Sequence, residues 1–143
     1  MARAADRPLF VYGTLRPGLA PAAIAAVART LLPLGPARVR GRLYDLGRFP
    51  AAVADASADG WIQGELVVLG PDSPPLAWFD AYEGFDPTAP ETGPFRRESG
   101  SALDASGGEV PCWIYTYVRR LDERRRLPGG AWPARRSHPE EEA

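Results

Sequence analysis

The chain has 143 residues and 15.5 kDa, with 45% hydrophobic, 10% aromatic and 24% charged residues. That is enough for one domain with a sizeable core, burying roughly 70% of the surface its unfolded chain exposes, and too little for two large ones. Seventeen basic against eighteen acidic residues leave a net charge of -1, so no global basic field points to nucleic acid and no acidic excess points to a disordered chain.

In chain order, Leu9-Phe10-Val11-Tyr12 is a short apolar, β-prone run ending at Gly13 and predicts a buried strand. Thr14 to Gly18 reads as a loop. Ala22 to Thr30 is Ala-rich behind Pro21, a residue suited to a first helical position, and predicts a short helix. Val39 to Leu46 alternates apolar and polar with period two, the mark of a half-buried strand. Ala51 to Ala54 predicts a brief strand after the turn at Gly47 to Pro50. Trp61 to Leu69 predicts a long strand whose internal Gly64 signals a bulge or a close backbone approach. Ser73-Pro74 reads as an N-cap and first helical residue, opening a helix that runs to about Glu83 and stops at Gly84. Asp86 to Gly93 is a loop. Phe95 to Glu98 and Glu109 to Val118 read as the last strands, joined through the turn-rich Asp104 to Gly108. The sum is a strand-dominated α+β domain with one or two short helices.

The residue inventory narrows the chemistry. All seventeen basic residues are Arg, so no Lys nucleophile or Schiff base is available. The single Cys112 forms no intrachain disulfide, and with His138 as the only histidine a zinc site of about four Cys or His ligands is excluded. Cys112 sits among strand residues as a small apolar group, with no His nearby to make it a thiolate. His138 lies in a polar tail, away from any pattern that resembles a triad. No apolar run reaches signal-peptide or membrane-span length, so a cytoplasmic chain is expected. The Arg residues at 119, 120 and 124 to 126, answered by Glu140 to Glu142, lack the interleaved aromatics of a nucleic-acid patch and read as a solvated tail. Acid–base work is left to carboxylates, Tyr or backbone groups.

Two places offer that chemistry. At Tyr12-Gly13-Thr14-Leu15 a buried strand breaks at Gly, either as an ordinary turn or as a set of backbone donors for a carboxylate or oxyanion. The second is Glu83 in Trp78-Phe79-Asp80-Ala81-Tyr82-Glu83-Gly84. Glu83 shares a helix face with Phe79, sits at the helix's negative end and follows Asp80 by three residues. Each of these three features favours its protonated form, which suits general acid–base catalysis near neutral pH. The alternative is a solvated Glu at a frayed helix end.

Taken together, these segments resemble a known family. Phe10-Val11-Tyr12-Gly13-Thr14-Leu15-Arg16-Pro17-Gly18 is similar to the N-terminal signature of the gamma-glutamylcyclotransferase-like superfamily, as in bacterial gamma-glutamylcyclotransferase and AIG2-like domain proteins. The stretch from Gly41 to Gly47 with Phe49-Pro50, the Gly64-Glu65-Leu66 strand, Phe79 to Gly84, Trp113 to Tyr117 and Leu127 to Trp132 resemble later family features in their order. The resemblance covers residues 8–132 and leaves 133–143 as a polar tail. It implies a compact, barrel-like mixed β-sheet with a few short helices and a pocket at one end. It also implies a cofactor-free, metal-free reaction in which a small γ-glutamyl amine or peptide closes to 5-oxoproline and releases a free amine. Carried over, Glu83 is the general acid/base and Tyr12, Gly13, Thr14 and Leu15 bind substrate. The loop from Phe85 to Phe95, rich in Pro, Thr and Gly, has the composition of a rim and is expected to border the mouth. The expected partner is this small molecule, with no nucleic acid and no membrane. Two departures bear on which substrate fits: Ala51 where relatives often have Gly, and Phe95 where they often have Tyr. The competing reading is a non-catalytic binding module for a γ-glutamyl or amino-acid-like ligand on the same fold.

Overall fold

Strand β1 (Leu9–Val11) is buried along its whole length, which explains why its sequence is an unbroken apolar run rather than an alternation. In the computed structural model, which describes residues 7–16 and 20–133, it is followed by helix α1 (Ala25–Ala28), strands β2 (Leu31–Asp45), β3 (Pro50–Ala54) and β4 (Trp61–Leu69), helix α2 (Leu76–Glu83), and strands β5 (Phe95–Asp104) and β6 (Glu109–Tyr117). The strand order is β3-β2-β4-β1-β6-β5, and β2 also pairs with β5 through Ala37–Asp104 and Arg38–Leu103. That pairing closes five strands, β2-β4-β1-β6-β5, into a barrel, with β3 hairpinned onto the far part of β2. The β1–β6 pair is parallel and the other pairs are antiparallel, so the barrel is mixed. The α+β, barrel-like expectation with short helices holds.

Period-two alternation divides the core. Phe10 and Tyr12 share one cluster with Val39, Leu43, Ile62, Leu66, Cys112 and Ile114. Leu9 and Val11, facing the other way, pack with Leu76 and Phe79 of α2 and with Leu31, Val67 and Tyr115. β1 is therefore the wall between the two clusters. The chain breaks at its end, so whatever follows Val11 is held at the rim of the barrel beside α2.

Several local expectations are corrected. β2 begins eight residues earlier than its alternating half suggests. Pro33, Gly35 and Pro36 disguise it, and the ladder tolerates them through a register shift between Pro33 and Gly35. The helix expected over Ala22 to Thr30 shrinks to a 3-10 turn (Ala22–Ile24) and the four residues of α1, with Pro21 ahead of the turn as its cap. So short a helix has little stability of its own, and only Ala28 is buried to hold it. α2 starts after Pro75, not at Pro74: a residue before proline is pushed out of the helical region, so Pro75 keeps Pro74 from joining the helix. Ser73 caps nothing there. Its hydroxyl instead accepts the Gly70 N–H at 2.8 Å and lies 2.9 Å from the Thr30 hydroxyl.

Other expectations stand. β4 has the expected bounds, and Gly64 marks a close approach: a Cβ there would lie 2.4 Å from the Val11 carbonyl oxygen and 2.7 Å from the Phe10 ring. α2 ends at Gly84, whose φ of 80° closes the helix in the left-handed conformation. β5 runs six residues further than the expected Glu98 and turns through Asp104 to Gly108 into β6. Downstream, Leu127 N–H bonds the Leu43 carbonyl and Trp132 Nε1 donates to Asp45 Oδ1, so the segment through Trp132 is fastened to β2. Arg124 to Arg126 are exposed. From residue 134 the expected tail, His138 included, lies outside the described residues. No helix among the described residues is long and apolar enough to cross a membrane.

Candidate functional site

Where β1 ends, Tyr12 is still buried and Gly13 begins a turn closed by Arg16 N–H on the Gly13 carbonyl at 2.9 Å. Gly13 packs against the Gly47 to Pro50 turn so tightly that a Cβ would sit 2.8 Å from two ring carbons of Pro50. A side chain there would push the two rims apart. The last turn of α2 brings Tyr82 and Glu83 to the same place, and the Thr14 hydroxyl lies 2.9 Å from the Tyr82 hydroxyl. Between these elements is a cavity of about 390 Å³.

All five residues singled out from the sequence, Tyr12, Gly13, Thr14, Leu15 and Glu83, line this one cavity. They come from a strand end and a helix end nearly seventy residues apart, brought together because Leu9 and Val11 pack on Leu76 and Phe79. The loop expected at the mouth, Phe85 to Phe95, contributes only its far end, Pro94 and Phe95, while Gly84 just before it also lines the wall. Its middle, Asp86 to Gly93, stands away, where Asp86 ties up its own turn through Thr88. Arg48, Phe49 and Pro50 also line the cavity.

Glu83 as a residue is half-buried, but protein surrounds its carboxyl and burial pushes its pKa up to about 7. The sequence also assigned part of this shift to Asp80, and here the structure differs. Asp80 is buried and accepts Arg97 Nε at 2.8 Å, Arg97 Nη2 at 3.3 Å and the Tyr115 hydroxyl at 2.8 Å. The Arg97 guanidinium, itself lying 4.4 Å from the centre of the Trp113 ring, balances the Asp80 charge. Burial of the carboxyl, and not Asp80, is what raises Glu83.

Tyr12 is committed differently from its neighbours. Its hydroxyl donates to the Tyr115 carbonyl, and its pKa is held well above the usual tyrosine range, by burial first and by the Glu83 charge second. It braces β1 against β6 and presents its face and backbone to the cavity. The Tyr115 hydroxyl is likewise taken, by Asp80. The backbone N–H groups of Gly13, Thr14 and Leu15 have no acceptor among the described residues. The cavity thus combines a carboxyl that changes charge near neutral pH, three free backbone donors and a mainly apolar wall. That set can move a proton and hold an oxyanion or carboxylate.

Sequence reasoning assigned no role to Tyr82, Arg48 or Pro21, which also line the cavity. Pro21 and Arg48 follow no pattern that marks them, since their place depends on how distant turns meet. Phe95, noted as a departure, is buried in the wall with its ring 5.8 Å from Phe49 and 5.2 Å from Tyr117. Ala51 is fully buried opposite Tyr44 in the β2–β3 ladder and does not reach the cavity. Cys112 is fully buried in the barrel, and burial pushes its thiol up to about 11.

The family model described as "Gamma-glutamyl cyclotransferase, AIG2-like" matches residues 9–134. No curated protein matches the chain. Among solved structures, YkqA from Bacillus subtilis superposes with a TM-score of 0.62 at 21% identity, over 89% of this chain and 39% of that one. This chain therefore spans about two fifths of that relative's length. An AIG2-like protein from Mus musculus gives a TM-score of 0.62 at 20% identity, covering 82% and 81% of the two chains. A structure described as gamma-glutamyl cyclotransferase gives 0.58 at 13% identity, covering 86% and 71%. At these identities the structural likeness establishes the fold.

Proposed function

For a chain that belongs to the gamma-glutamyl cyclotransferase, AIG2-like family, we propose a cyclotransferase acting in the cytoplasm on a small γ-glutamyl amine or peptide. The observation that supports this most is Glu83, a carboxyl with a pKa of about 7 in the same cavity as the Gly13 to Leu15 donors. The substrate contains its own nucleophile. Its α-amine attacks the γ-carbonyl carbon, and a C–N bond forms as the carbonyl π electrons move to oxygen. The tetrahedral centre then collapses, the bond to the leaving nitrogen breaks, and 5-oxoproline and a free amine result. Glu83 takes the proton from the attacking nitrogen and delivers it to the leaving one, so the carboxylate ends as it began.

A group near pKa 7 is half in each form at neutral pH, which suits both halves of that cycle. The backbone N–H groups at Gly13, Thr14 and Leu15 receive the α-carboxylate or the developing oxyanion. The walls hold the glutamyl chain in its ring-closing rotamer, which removes much of the entropic barrier. The proposed steps call on no metal, cofactor, Lys or Cys.

The test is a panel of γ-glutamyl compounds, glutathione included, scored for 5-oxoproline. Glu83→Gln is expected to lower turnover by about 10²–10⁴ while still binding substrate, because Gln keeps the shape but cannot cycle a proton. Near wild-type turnover in that variant would overturn the assignment.

A further inference from the structure

The cavity wall carries one fixed cation among the described residues, Arg48, and the cyclotransferase chemistry just described gives it no task. Its location is built rather than incidental. The turn that bears it is closed by Leu46 N–H on the Phe49 carbonyl at 3.0 Å and by Gly47 N–H on Asp45 Oδ1 at 2.8 Å. Asp45 is itself anchored, since Oδ1 also accepts Trp132 Nε1 at 3.1 Å and its carbonyl accepts Arg125 Nη1 at 3.1 Å. Phe49 packs edge-on against Phe95, which also lines the cavity, 5.8 Å between ring centres. Arg48 is exposed and makes no ion pair among the described residues, in contrast to Arg97, Arg42 and Arg16. The arginine is therefore carried by an anchored turn of the cavity wall, with its charge uncompensated among the described residues.

The direction of the substrate follows from ring closure. In the cyclising conformer the α-carbon, the attacking nitrogen and the γ-carbon lie within one five-membered ring. The α-carboxylate must therefore stay within a ring's breadth of Glu83 and the Gly13 to Leu15 donors. The substituent on the leaving nitrogen is the part that extends outward. Arg48 is exposed on the turn between β2 and β3, whereas Glu83 is half-buried at the end of α2. The outward path passes Tyr82 and Phe49, both exposed at the rim.

We infer that Arg48 is a specificity-determining residue that binds a carboxylate on the leaving amine, so that γ-glutamyl amino acids and peptides with a free carboxylate are preferred over γ-glutamyl alkylamines. This rests on the cyclotransferase reading and adds the charge of the departing group to it. An arginine–carboxylate pair of this kind forms charge-assisted, often bidentate hydrogen bonds. Replacing the carboxylate by a neutral amide leaves the guanidinium with solvent alone.

The experiment compares kcat/KM for γ-glutamylalanine with that for its C-terminal amide, in wild type, Arg48→Ala and Arg48→Glu, each shown by circular dichroism to be folded. Wild type is expected to prefer the free acid by about tenfold, the scale of a partly solvated charged hydrogen bond. Arg48→Ala is expected to bring the ratio to within about twofold, and Arg48→Glu to invert it. Higher ionic strength compresses the wild-type ratio, because a charge at the mouth is screened. An unchanged ratio in Arg48→Ala overturns the inference. So does a ratio that stays put while discrimination against the α-methyl ester is lost, since Arg48 then reads the head group. If wild type makes no 5-oxoproline from any of these compounds, the cyclotransferase reading fails. Calorimetric binding of acid and amide to wild type and Arg48→Ala then decides the carboxylate assignment separately, an equal acid preference in both proteins refuting it.

Discussion

Replacing Glu83 by Gln should make the protein more stable at alkaline pH and leave it nearly unchanged at acid pH. The carboxyl is raised from 4.5 to about 7 by burial, so between those values the folded state binds more protons than the unfolded one. Stability then falls as pH rises. Below about pH 4.5 the residue is protonated in both states and the wild type is at no disadvantage. Above about pH 7 it must ionise in the fold, and a displacement from 4.5 to about 7 corresponds to a penalty on the order of 3 kcal/mol. Gln has nearly the same volume and no charge, so the variant escapes the penalty. Urea denaturation of both proteins from pH 4 to 9 measures it. The two curves of stability against pH should run together at the acid end and separate through pH 4.5 to 7, with the variant ahead by about 3 kcal/mol beyond. A separation independent of pH would mean that Glu83 is not held in an environment that disfavours its charge. The case for it as the proton carrier would then lose its physical basis.

Asp80→Asn should cost about 3 kcal/mol in the same denaturation assay, since it removes the carboxylate between Arg97 and the Tyr115 hydroxyl and leaves the guanidinium inside the fold without its counterion; a loss under about 1 kcal/mol would show that the pair contributes little to holding α2 on the barrel. Cys112→Ser should cost about 1–3 kcal/mol and leave turnover within a few-fold, because a hydroxyl at this fully buried position needs a partner. In the native protein Cys112 should resist a thiol reagent until the chain unfolds, its thiol being both enclosed and raised to about 11; prompt labelling of folded protein contradicts this. A γ-glutamyl amide esterified at its α-carboxylate should react at least about tenfold more slowly than the free acid, as backbone donors at Gly13 to Leu15 are left unpaired; equal rates would show that this turn does not read the head group.

What the sequence settled by itself are the features set by neighbours along the chain. β4 shows as a continuous β-prone run, and α2 stops where Gly84 supplies the left-handed residue a helix end needs. The break at Gly13 and the partly apolar setting of Glu83 were also legible, because strand ends and helix faces follow from periods of two and of about 3.6. The absence of Lys and the single Cys and His limited the chemistry before any fold was known. The tertiary structure decided what depends on distant partners. The first half of β2 reads as a proline- and glycine-rich loop, and only pairing with β4 makes it a strand. Asp80 looks like a like charge beside Glu83 until β5 delivers Arg97 to pair with it, a partner seventeen residues further along the chain that no helix pattern shows. Arg48 is one arginine among seventeen in the sequence. Only the closure of the barrel, which sets the Gly47 to Pro50 turn against Gly13, gives it a place on the wall beside the proposed chemistry.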